Sequence, residues 1–116
     1  MKIENKLYGG FIVSNNVLKG IRILYSFREE SKIPQLNGWN VLSKDDDQEY
    51  IQEVTNFTIL NAESMYKIAP VLLELFDAPY GTDLFWKYEE DFHIGFYDLI
   101  NECDTDIEQI LKNNII

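Results

Sequence analysis

The sequence predicts an α+β fold, a single domain over residues 1–116 in which helices pack on a mainly antiparallel sheet and a C-terminal helix closes the chain. Three observations lead there. Ile21, Ile23, Tyr25 and Phe27 alternate with Arg22, Leu24, Ser26 and Arg28, the period of a half-buried strand. Leu84, Trp86 and Tyr88, then Phe92, Ile94 and Phe96, repeat that period on either side of Glu89-Glu90-Asp91, which describes a hairpin with an acidic tip. Met65, Ile68, Ala69, Leu72 and Leu73, by contrast, recur at helical spacing.

The elements follow in order. Leu7 to Val13 reads as a first strand ending in the turn formers Ser14, Asn15 and Asn16, with Gly9 and Gly10 marking a bulge or a close backbone approach. After the alternating strand, Glu29 to Leu36 contains Pro34 and few apolar residues, so it is a loop leading into a turn at Asn37-Gly38. Trp39 to Leu42 is the third strand. Ser43 is then placed as the N-cap of a helix whose first turn holds Asp45, Asp46 and Asp47, where the macrodipole favours negative charge. Tyr50, Ile51 and Val54 fall on the docking face of that helix, and its other face shows carboxylates to water.

Phe57 to Leu60 is a short strand and Asn61 caps the next helix, which Pro70 kinks or splits because it lacks the N–H that a continuous helix needs. Asp77 to Gly81 is a turn. Beyond the hairpin, Leu99, Ile100, Cys103, Ile107, Ile110 and Leu111 form one apolar helical stripe over 98–116, with a break near Asp104 as the alternative. Trp39, Ile23, Tyr25, Phe27, Leu72 and Trp86 are the expected core.

Composition narrows the function classes. Hydrophobic residues make up 46% and aromatics 14%, enough to close a core without disulfides or metal. The single cysteine, Cys103, is expected to pack as a small hydrophobe near the C-terminal helix. No apolar h-region opens the sequence and no apolar run reaches spanning length, so the cytoplasm is the expected compartment and no membrane is involved. Residues 1–43 carry six Lys or Arg against three Glu, a balance of +3, whereas four Lys against seventeen acids leave −13 from Lys44 onward. Such a field repels phosphate backbones and attracts a basic partner, which argues against nucleic acid. The plainer reading is that these acids keep the protein in solution.

Catalytic chemistry is thin. With one His and one Cys, a zinc site would need mostly carboxylates, and His93 is read as a surface or hydrogen-bonded structural residue. No nucleophile elbow surrounds a serine, neither phosphate-binding Gly motif occurs, and Asp45, Asp47 and Glu49 lack the Gly and distal Glu of a calcium loop. No cofactor or metal is expected. Paired acids are abundant enough for a small hydrolase built on clustered carboxylates to be the rival. A self-associating adaptor using the C-terminal stripe is a third reading.

Several short pieces stand in a recognisable order: Val13-Ser14, Arg28-Glu29, Asn37-Gly38-Trp39, the acidic run Asp45 to Tyr50, and Leu75-Phe76-Asp77-Ala78-Pro79-Tyr80-Gly81. Over roughly residues 10–90 this order resembles the immunity-protein 33 family of bacteria. Asn37 stands where that pattern has Ser, and Ser43 where it has Gly. The resemblance implies a non-enzymatic cytosolic antidote to a toxin, the C-terminal helix lying outside the match. Asp45, Asp46, Asp47, Glu49, Glu89, Glu90 and Asp91 are the candidate contacts to a basic toxin domain. Arg28, Glu29, Gly38, Trp39, Tyr50, Asp77, Pro79 and Gly81 are the motif residues with a structural role, Arg28 and Glu29 joining the acids in an ion-pair network.

Overall fold

The protein is described by a computed structural model that covers residues 3–112. One-turn helix α1 (Asn5–Tyr8) precedes strand β1 (Gly10–Ser14), and the short helix α2 (Asn15–Leu18) leads to β2 (Ile23–Arg28) and β3 (Leu36–Ser43). Then come α3 (Gln48–Ile51), a 3-10 turn at Val54–Asn56, β4 (Phe57–Leu60), α4 (Ala62–Ile68) and α5 (Val71–Glu74). The chain finishes with β5 (Asp83–Glu89), β6 (Phe92–Asp98), β7 (Cys103–Thr105) and α6 (Ile107–Lys112).

The strands form a single sheet in the order β4-β1-β3-β2-β5-β6-β7. Only the β1–β3 pair is parallel; every other neighbour is antiparallel, as the hairpin pattern requires. The α+β expectation therefore holds.

All the core-forming helices lie on one face. Phe11, Val13, Trp39, Val41, Leu84, Trp86 and Phe96 from the strands meet Val17 of α2, Met65 of α4, Leu72 of α5 and Ile110 of α6 in a single apolar cluster. Trp39 is fully buried at its centre. The split helix is where Pro70 requires it: α4 ends at Ile68, and Pro70, with φ −53° and no N–H to offer, stands at the head of α5. Asn61 caps α4 by accepting from the Ser64 N–H.

Several expectations need correction. Asn37-Gly38 is no turn, since both residues lie inside β3. Gly38 adopts φ +90° there, and a Cβ on it would collide with the Glu29 carbonyl, so the glycine permits a close approach of β3 to the end of β2. Tyr25 and Phe27 are only half-buried and stand apart from the core cluster. A bulge between Ile23 and Tyr25 is the cause: Ile23 pairs with Ser43 but Tyr25 with Leu42, so the extra residue flips the alternation and Ser26 faces inward instead.

Ser43 ends a strand rather than capping a helix, and α3 is a single turn capped by Asp47, whose carboxylate accepts from the Tyr50 N–H. Val54, expected on a docking face, is 80% exposed. Finally, no helix occupies residues 98–105. Asp98 accepts from the N–H groups of Ile100 and Asn101 in a tight turn, β7 follows, and α6 starts only at Ile107. Cys103 is exposed on the edge strand β7 and does not pack as a buried hydrophobe. Residues 113–116 of the expected helix lie outside the described range.

Candidate functional site: the acidic end of the sheet

Register places the two acidic groups at the same end of the molecule. Ile23, which begins β2, pairs with Ser43 at the end of β3, and the Tyr88 hydroxyl near the end of β5 donates to the Ile23 carbonyl at 2.6 Å. The run Asp45–Glu49 after β3 and the tip Glu89–Asp91 after β5 thus leave the sheet side by side. They are separated by the width of β2, roughly 10 Å at two interstrand spacings. Glu90 takes a left-handed φ of +57° in the two-residue hairpin loop, which turns the tip sharply outward.

The acids within this group are not equivalent. Asp45, Asp47, Glu49, Glu89, Glu90 and Asp91 are exposed. Asp45 pairs with Lys44 and Asp91 with Arg22, each at 2.9 Å, and the Arg22 guanidinium also lies over the Tyr88 ring. Asp46 turns inward. Its carboxylate accepts from the Ser43 N–H and hydroxyl at 2.7 Å each and from the Asn16 side-chain amide at 2.8 Å. Burial raises its pKa, but those bonds together with the Ser14 hydroxyl outweigh burial and hold the group below its ordinary value. Asp46 is a tie between β3 and α2, its carboxylate occupied by internal donors.

The motif residues other than Tyr50 gather at the opposite end of β2. Arg28 donates through Nε to the Asn37 carbonyl at 2.9 Å and through Nη1 to the Phe76 and Ala78 carbonyls at 2.8 Å each. Its guanidinium lies 5.1 Å from the Phe76 ring centroid and 4.7 Å from that of Tyr80. Trp39 Nε1 donates to the same Phe76 carbonyl at 3.1 Å, and the Gly81 N–H donates to Arg28 O at 2.7 Å. So Arg28, Trp39 and the 76–81 turn form one hydrogen-bonded clamp around Gly38. This differs from the expected ion-pair network, because Arg28 binds backbone carbonyls and no carboxylate. Among the described residues the side-chain ion pairs are Arg22–Asp91, Lys44–Asp45 and Lys87–Asp104. Glu29 takes part through its backbone N–H to Gly38 O, and Tyr50 bonds the Asn56 carbonyl while its ring meets Phe57. Asp77 is exposed in the turn, and Pro79 O accepts from Thr82.

A cavity of about 710 Å³ opens beside the acidic end, between Val17, Ile68 and Val71 on the helix side and Arg22, Trp86 and Tyr88 on the sheet. His93 stands at its edge, half-buried, its ring 4.6 Å from Trp86 and 4.7 Å from Phe96. Its Nε2 has no hydrogen-bond partner among the described residues. Burial lowers the His93 pKa, against a smaller rise from the Gly95 backbone. No group of three or more His, Cys, Asp or Glu among the described residues is placed to hold a metal ion.

The hydrolase rival would need two carboxylates converging in a cleft. Asp83 and Asp98 are one pair that interacts: the pKa of Asp83 is raised by burial and then by the Asp98 charge. Asp98, however, is committed to capping the 98–101 turn, where burial is outweighed by bonds from Asn101 and Ile100 and its pKa falls below the ordinary value. The cavity lined by Pro79, Leu84 and Ile110 takes in Asp98 but not Asp83.

The fold is a small two-layer α+β domain with its core-forming helices on one face of the sheet. Residues 11–95 match the family described as Immunity protein Imm33 domain. That is well over half of the chain, which therefore belongs to the Imm33 family. The matched span runs from β1 into β6 and takes in both acidic groups and the whole Arg28 clamp; β7 and α6 lie beyond it. No curated protein and no solved structure matches the chain. No helix among the described residues is long and apolar enough to cross a membrane.

Proposed function

We propose that this Imm33 protein is a non-enzymatic antidote that acts in the cytoplasm, binding a cognate toxin and covering a basic surface on it. The observation that carries this reading is the convergence of Asp45, Asp47, Glu49, Glu89 and Glu90 on one end of the sheet from segments forty residues apart. Most of these carboxylates are free of internal partners, so their field is available to a cationic surface and accelerates encounter with it. No cofactor, metal or nucleic acid enters the reading.

Membership in an immunity-protein family favours this over the hydrolase; where Asp106 and Glu108 share a pocket with His93, Asp106 is already committed to capping α6 through the Gln109 N–H. The adaptor reading loses its premise, since Leu99, Ile100 and Cys103 belong to a turn and an edge strand and present no common helical face with Ile107 and Ile110. Co-expression tests the proposal. Where a toxin domain is encoded beside this chain's gene, cells producing it should survive when the wild-type protein is present. Death despite abundant folded protein would refute it.

A further inference from the structure

The face of the sheet turned away from the helices is unusual for an antiparallel sheet, whose solvated side is normally polar. Register lays out two cross-strand rows on it. One runs Ile59–Ile12–Asn40–Phe27–Asp83 and the other Leu42–Tyr25–Phe85–Tyr97–Asp104. Tyr25 and Phe85 meet edge to face at 5.5 Å. None of Ile12, Tyr25, Phe27, Phe85 or Tyr97 packs against the core cluster, and Leu42 is buried without belonging to it. The helix residues of the core cluster lie on the opposite face, and α3 touches this one at its β4 edge, where Tyr50 meets Phe57. Aromatic residues concentrated on a half-exposed face mark the centre of protein interfaces.

Charge at the two ends of this face indicates what would sit on it. Alternate residues of β5 point to it: Asp83, Phe85, Lys87 and Glu89. Lys87 is already satisfied by Asp104 at 2.9 Å. Asp83 and Glu89 make no ion pair among the described residues, and they stand about 20 Å apart along the strand. Opposite Glu89 lies Phe92, 73% exposed, so the aromatic face runs directly into the acidic tip. Burial and the Asp98 charge both disfavour the ionised form of Asp83, so an unpaired carboxylate is kept at the end of the row at a cost to the free protein.

We infer that the face opposite the core, centred on Tyr25, Phe85 and Tyr97 and bounded by Asp83 and Glu89, is the surface on which the toxin is held. The occupant is a protein surface with an apolar centre flanked by two Lys or Arg side chains spaced to reach those carboxylates. This rests on the antidote reading and assigns its anchor: the acidic end steers, and the aromatic face sets the lifetime of the complex. A second copy of the chain is the poorer occupant. Each molecule carries a net charge of −10 and would bring carboxylates against carboxylates.

Hydroxyl-radical footprinting of the wild-type protein, alone and with the toxin domain encoded beside its gene, tests this without any substitution. Oxidation of Tyr25, Phe85, Tyr97 and Phe92 should fall several-fold in the complex, while Tyr66, 38% exposed on α4, stays unchanged. The variant Phe92→Ala with Glu89→Gln should weaken binding at least tenfold with an unaltered melting curve. Protection of Tyr66 in place of the sheet aromatics, or unchanged affinity in the folded variant, would overturn the assignment and leave the antidote reading standing. Absence of any complex with the wild-type protein would instead refute the antidote reading and the assignment with it. Protection of the same aromatics in a toxin-free dimer seen by light scattering would give the face to a second copy and overturn the proposal.

Discussion

Arg28 and Trp39 donate to the same acceptor. Nη1 of one and Nε1 of the other reach the Phe76 carbonyl at 2.8 and 3.1 Å, joining adjacent strands to the turn that follows α5. Removing either leaves a shared carbonyl short of a donor. Arg28→Met should therefore cost about 3 kcal/mol, since two further carbonyls lose their partner as well. Trp39→Phe should cost about 2 kcal/mol through the lost donor and the smaller ring. Urea unfolding of both single variants and the double variant would report a coupling on the order of 1 kcal/mol. Strict additivity would mean that the two bonds act independently.

Gly38 and Gly81 both hold φ near +90° to +98°, but only Gly38 lacks room for a side chain. Gly81→Ala should cost about 1 kcal/mol, the strain of a left-handed alanine alone. Gly38→Ala must also push the Glu29 carbonyl aside, so a loss of about 3 kcal/mol is expected. Equal unfolding midpoints for the two variants would show that the close approach at Gly38 contributes nothing.

Among the neighbouring acids, structure separates a tie from exposed charges. Asp46→Ala should destabilise by about 2 kcal/mol because the Ser43 and Asn16 donors lose their acceptor. Asp47→Ala loses the α3 cap, at about 1 kcal/mol, while Asp45→Ala and Glu90→Ala should stay within about 0.5 kcal/mol. Thermal melts of the four variants check the order, and a silent Asp46→Ala would contradict it.

His93 sets a pH dependence. Burial among Trp86, Tyr88 and Phe96 lowers its pKa from the ordinary 6.5, so the unfolded chain binds a proton at a pH where the folded chain does not. Stability should then be complete above that value and decline as the pH falls below it. The raised pKa of Asp83 works in the opposite sense, but in the carboxylate range. Between about pH 7.5 and 5.5 the urea midpoint of the wild type should drop more than that of His93→Leu. Parallel slopes would mean that the imidazole titrates normally.

Much of the fold was legible because its signals were local. Phe57–Leu60, the hairpin, the Asn61 cap and the break at Pro70 each follow from a short stretch of neighbouring residues. What misled was a change of phase. The bulge at Leu24 turns Tyr25 and Phe27 from the core to the open face, and one extra residue leaves no trace in an otherwise regular alternation. Leu99, Ile100 and Cys103 fit a helical stripe by spacing, yet Asp98 stops any helix by capping a turn. The acids of the acidic end were visible one by one. Their convergence was not, since it depends on β2 lying between β3 and β5.

The most direct test of the antidote account is the association rate with the toxin domain, measured by stopped flow across ionic strength. The charge-reversed variant should carry Lys at Asp45, Glu49, Glu89 and Glu90, the four exposed acids of the acidic end that neither cap a helix nor pair with Arg22. For the wild type the rate should fall steeply as salt rises. The variant should associate at least tenfold more slowly at low salt and show a flat profile, with folding unchanged. Equal rates at low salt for the two proteins would contradict steering by the acidic end.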